Sequence, residues 1–112
     1  MFEITASGRL RADPREDARM HIDGGYVPVV CAWLWCELRD AGAWVHLVAA
    51  RPRTRAVLSA MRKDDTLTVS GDVLELGIHK DDGQPFIELV VCSIDLWHKP
   101  AEVEQDQEPV VH

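Results

Sequence analysis

Residues 66–73, Thr-Leu-Thr-Val-Ser-Gly-Asp-Val, alternate polar with apolar, placing Leu67, Val69 and Val73 on one face; the remaining position on that face is Gly71. Period-two alternation marks a half-buried strand. A β-branched residue would pack better than glycine there, so Gly71 signals a bulge, a sharp bend or a second backbone passing close by. Small closed barrels need that device, because one strand must coil enough to serve both sides of the barrel.

The flanking segments fit the same architecture. Phe2 to Leu10 alternates, with Phe2, Ile4, Ala6, Gly8 and Leu10 on one face, and reads as a first strand. Arg11 to Gly25 is polar, contains Pro14 and Gly24-Gly25, and reads as a long turn or excursion. Tyr26 to Leu38 is apolar on both faces, so its strand must be covered on both sides or wetted only along a ligand or partner surface. Pro28 removes a ladder donor and points to an edge or bulge near its start. Asp40-Ala41-Gly42 suggests a turn into a third strand, Ala43 to Ala50.

Pro52 suits a first helical turn, and Val57, Leu58, Ala60 and Met61 form an apolar stripe, predicting a helix of about three turns. Arg62 and Lys63 would complement its C-terminal dipole. The fourth strand runs from Thr66 to about Ile78, an Asp-Gly turn follows, and the fifth spans Pro85 to Trp97. Three strands, a helix and two strands is the connectivity of an OB-fold: an all-β, five-stranded Greek-key barrel with one α-helix between strands three and four. At 112 residues the chain forms one domain with a real core. That domain is placed at 1–98, and 99–112 reads as an acidic, flexible tail.

Chemistry is limited by what the chain contains. Cys31, Cys36 and Cys92 are odd in number and lack a Cys-x-x-Cys pair, which fits reduced thiols. The five histidines have no ligand spacing, so neither a metal nor any other cofactor is expected. Asp64-Asp65 and Asp81-Asp82 fall at turns, where aspartate stabilises local backbone. Ser7 and Ser59 have no recognisable base, so the chain does not read as an enzyme. No apolar run reaches the roughly 18 residues of a membrane span, and the opening residues do not read as a secretion signal. A cytoplasmic location is expected.

Several segments, taken in order, carry a family likeness: "SGRLRADP" (Ser7 to Pro14), "WVHLVA" (Trp44 to Ala49) leading into a helix, "MRKDDTLTVSGDVLE" and "DDGQPFIELVVCSIDLW". The chain resembles the bacterial single-stranded DNA-binding protein family, including its relatives in mobile elements and primosomes, over about residues 2–98. The resemblance implies binding of single-stranded DNA without strong sequence preference, in replication, recombination or repair, by a homodimer or homotetramer. Bases would stack on aromatic rings while a cationic groove follows the phosphates. Trp44 matches a stacking tryptophan of the family, and Trp35 a second. Arg9, Arg11, Arg51, Arg53, Arg55 and Lys80 are candidate phosphate contacts, with Arg62 and Lys63 extending the track.

Trp33 reads as core or subunit interface, and Trp97 as packing or interface. The chain departs from the family at Ala50, and at Ile78 and His79, where aromatics are usual. It also has no glycine-rich linker, and its tail ends in "EPVVH". Net charge is −7, and removing Glu102, Glu104, Asp106 and Glu108 leaves −3 for residues 1–100. An acidic body is unusual for a nucleic-acid binder. The alternative expectation is a protein-interaction OB module of a DNA-processing complex that has lost DNA affinity.

Overall fold

The computed structural model describes residues 2–20, 24–38 and 41–100. In chain order its elements are β1 (Glu3–Leu10), β2 (Arg15–Met20), β3 (Tyr26–Leu38), β4 (Ala41–Ala49), α1 (Pro52–Ser59), β5 (Thr66–Ile78) and β6 (Pro85–His98). The sheet order is β1-β5-β6-β4-β3-β2. β1 also pairs with β3 at Arg9↔Trp35 and Leu10↔Leu34, which closes five of the strands into a ring. All pairings are antiparallel except β4 with β6. This is the OB-fold.

Alternation decides which side chains fill the barrel. Val30, Ala32 and Leu34 of β3, Val45, Leu47 and Ala49 of β4, Leu67 and Val69 of β5, and Leu89 and Val91 of β6 form the core with Leu10, Leu58 and Met61. Gly71 lies where β5 and β6 shift register, between Ser70 and Gly71. A Cβ there would overlap the Val90 carbonyl oxygen and lie 3.1 Å from the Val91 Cα. The glycine is required by a neighbouring backbone that crosses too closely for any side chain.

Three sequence expectations change. Arg15–Met20, expected within a turn or excursion, is a strand, paired along β3 from Arg15↔Cys31 to Met20↔Tyr26. Its ladder holds it in place; Arg15 to Ala18 are exposed, so no hydrophobic period announces it. The helix ends at Ser59 after about two turns rather than three. Arg62 therefore lies beyond it, yet its guanidinium still donates to the carbonyls of Ser59 (3.0 Å) and Met61 (2.7 Å). Ala41 and Gly42 already belong to β4, and Asp40 of the expected turn lies outside the described residues, as does the tail from 101 onward.

The doubly apolar β3 is accounted for within one chain. Beyond its barrel-facing residues, Val29 and Cys31 form a second buried cluster with Val48, against which Val27 packs. Trp33 and Trp35 continue that outward face. All three cysteines are free. No helix among the described residues is long and apolar enough to cross a membrane.

Candidate nucleic-acid interface

Side chains of one parity on β3 and β4 fill the barrel, so those of the other parity must face outward. The register aligns Trp35, Trp44 and Phe86 across β3, β4 and β6, and Trp33, His46 and Glu88 in the adjacent row. The aromatic rings in both rows are half-buried. Trp44 meets Trp35 (centroids 4.8 Å apart) and Trp33 (5.9 Å) edge to face. Trp33 lies 4.4 Å from His46, 5.0 Å from His79 and 5.6 Å from Phe86. His79, from the turn between β5 and β6, stacks on Trp44 at 4.9 Å with 20° between planes.

Cations border these rings. The Arg11 guanidinium sits 5.9 Å from the Trp35 centroid. Lys80 lines a slot of about 310 Å³ with Trp33, Ile78, His79, Asp81 and Phe86. Arg9 lines a cleft of about 430 Å³ beside Trp35, with Ser7, Thr66 and Thr68 from β1 and β5.

Two carboxylates on this face already have partners. Glu88 is 7% exposed and accepts from Arg19 Nη2 (2.9 Å) and His46 Nδ1 (2.9 Å). Burial pushes its pKa up, but the bonds from Arg19 and His46 outweigh that and hold it below the usual carboxylate range. Arg19 thereby fastens β2 to β6. Asp82 accepts from Trp44 Nε1 at 2.8 Å, the main reason its carboxyl is also held low, and its Oδ1 lies 3.2 Å from His79 Nδ1 without forming a hydrogen bond to it.

Of the sequence candidates, Trp35, Trp44, Arg9, Arg11 and Lys80 gather around this face. Arg51, Arg53 and Arg55 do not. They lie at α1, past the far end of β4, roughly 20 Å along the strand direction from Trp44. Arg53 lines a separate cavity of about 280 Å³ with Thr54, Val57, Cys92, Ser93 and Ile94. Trp33, His46, His79 and Phe86 are additional members of the aromatic face. Trp33 could have been identified by its two-residue spacing from Trp35, and His46 by the same spacing from Trp44. Trp97 stands apart, donating to Asp65 Oδ2 at 2.9 Å. Asp65, only 1% exposed, also accepts from the Arg62 amide and so braces the approach to β5.

No protein-family model matches the chain, and no curated protein matches its sequence. Solved structures do. The mitochondrial single-stranded DNA-binding protein Rim1 of S. cerevisiae superposes with a TM-score of 0.62 at 16% identity, covering 87% of this chain and 95% of that one. A second crystal form of Rim1 gives 0.59 at 13% identity, with 87% and 96% covered. The Plasmodium falciparum SSB, solved in complex with single-stranded DNA, gives 0.55 at 16% identity, with 87% and 94% covered. Likeness at such identities establishes architecture, and the chain has the OB-fold seen in these single-stranded DNA-binding proteins.

Proposed function

We propose that the chain binds single-stranded DNA across the outward face of β3, β4 and β6, acting by binding rather than by catalysis. The observation that carries this reading is the aromatic surface of Trp33, Trp35, Trp44 and Phe86, bordered by Arg9, Arg11 and Lys80. Bases of any identity stack on such rings, each contributing about 1–3 kcal/mol, and so the surface has little sequence preference. Pairing of Glu88 with the Arg19 guanidinium lessens the repulsion that an acidic body would impose on phosphates. The proteins of similar fold include one solved with single-stranded DNA, which supports the same reading. A role in replication, recombination or repair follows from that activity.

Assembly as a homodimer or homotetramer belongs to the proposal. Among the described residues, β1 pairs with β5 over Glu3–Arg9 but with β3 only at Arg9 and Leu10, leaving a strand edge for a second copy. The division into an OB-fold domain at 1–98 and an acidic tail at 99–112 is part of the same proposal. Titration with oligo(dT) at two salt concentrations tests the binding: tryptophan emission should be quenched, with affinity falling as salt rises. The second reading, a protein-interaction OB module, is favoured by the net charge of −7. Unquenched emission at low salt would select it.

A further inference from the structure

The most informative contact on the aromatic face is one that obstructs it. Trp44 presents one ring face to His79, stacked at 4.9 Å, while Trp33 and Trp35 meet it edge to face. The stacked face is the kind of surface a nucleobase would use, and His79 occupies it. His79 opens the turn between β5 and β6. Its amide donates to the Gln84 carbonyl (2.7 Å), and the Gly83 amide donates to its carbonyl (2.9 Å). The Gln84 amide donates to Asp82 Oδ1 (3.0 Å), and Gly83 takes φ +72, so the turn is a defined local structure. Lys80 to Gln84 are all exposed, so little burial holds the tip down. What joins it to β4 is the hydrogen bond from Trp44 Nε1 to Asp82 Oδ2 at 2.8 Å, together with the ring stack.

We propose that this turn is a carboxylate-latched cover: Asp82 holds His79 on Trp44, and a nucleobase reaches that face only when the latch opens. The proposal rests on the DNA-binding reading for its ligand, but the cover itself exists without DNA. When a site is competent only in its open form, apparent affinity is reduced by the fraction closed. Asp82 restrains binding twice, by closing the cover and by placing a negative charge where phosphates would pass. Its neighbour Asp81 carries the same charge and lines the slot beside Trp33, but Trp44 bonds to Asp82.

The test compares Asp82→Ala with Asp81→Ala by two readouts. The first, without DNA, is acrylamide quenching of tryptophan emission, repeated in a Trp44→Phe background. The second is affinity for oligo(dT). Asp82→Ala should increase quenching, the increase should vanish in the Trp44→Phe background, and oligo(dT) should bind roughly five- to tenfold more tightly, the scale of one ordinary solvent-exposed hydrogen bond. Asp81→Ala should leave quenching unchanged and tighten binding less. Unchanged quenching in Asp82→Ala overturns the latch, as do equal gains in affinity from the two variants. Increased quenching without DNA binding by any variant would support the cover and reject the DNA-binding reading.

Discussion

Replacing Gly71 with alanine tests the feature that closes the barrel. The added methyl would overlap the Val90 carbonyl oxygen and lie 2.9 Å from the Val90 carbonyl carbon and 3.1 Å from the Val91 Cα. All three obstructing atoms are backbone, so no rotamer change relieves the clash. β5 and β6 must separate locally, beside Val69 and Val91, which are 0% and 1% exposed. Losing one or two ladder hydrogen bonds at about 1 kcal/mol each, and straining that packing, should cost about 2–4 kcal/mol. The reduced entropy of the unfolded alanine chain returns less than about 1 kcal/mol. For a domain of this size the melting temperature should fall by roughly 10–30 °C. Gly42→Ala is the comparison, because its methyl would meet the Trp35 ring, a side chain that can turn away. Thermal unfolding followed by circular dichroism gives both values. A Gly71→Ala melting temperature within about 3 °C of the parent, or equal to that of Gly42→Ala, would refute the reasoning.

Other consequences concern charge and reactivity. Because Glu88 has a lowered pKa in the folded chain, its stabilisation is present above its ordinary pKa and is lost as pH falls through the folded value. Glu88→Gln should therefore melt below the parent at neutral pH, with the gap closing towards low pH; a gap independent of pH would contradict the Arg19–Glu88–His46 assignment. Burial pushes the Cys36 thiol up to about 11, so iodoacetamide at pH 8 should modify it far more slowly folded than unfolded, by mass spectrometry. Equal rates would mean that Cys36 is accessible. Arg11→Ala and Lys80→Ala should each lower the salt dependence of oligo(dT) binding by about 0.7 in log–log slope, while Arg53→Ala should not. The reverse pattern would move the phosphate track to α1.

Much of the fold is legible because long alternating strands repeat one signal many times. Thr66–Ile78 keeps its expected bounds, and the expected Pro85–Trp97 strand gains only His98. β2 has no such signal, since backbone pairing rather than burial holds Arg15–Met20 in place. The helix is shorter than its apolar stripe suggests because Met61, 0% exposed, completes the stripe yet reaches the core from outside the helix. There the Ala60 amide bonds to Val57 and the Met61 amide to Leu58, tightening the final turn.

The site divides along similar lines. Parity places Trp33 with Trp35, but which parity faces inward is settled by the barrel, which seats Ala32 and Leu34 rather than two indoles. His79 and Asp82 reach Trp44 through a hairpin whose packing no local pattern encodes. The helix arginines follow Trp44 closely in sequence, but β4 carries the chain away from the aromatic face before α1 begins.

The four indole N–H signals in a proton–nitrogen NMR spectrum, followed as oligo(dT) is added, give the most direct test. Those of Trp33, Trp35 and Trp44 should shift, while Trp97, bonded to Asp65 away from the aromatic face, should hold still. Movement of Trp97 alone, or of none of the four at saturating oligonucleotide, would contradict DNA binding on the β3–β4–β6 face.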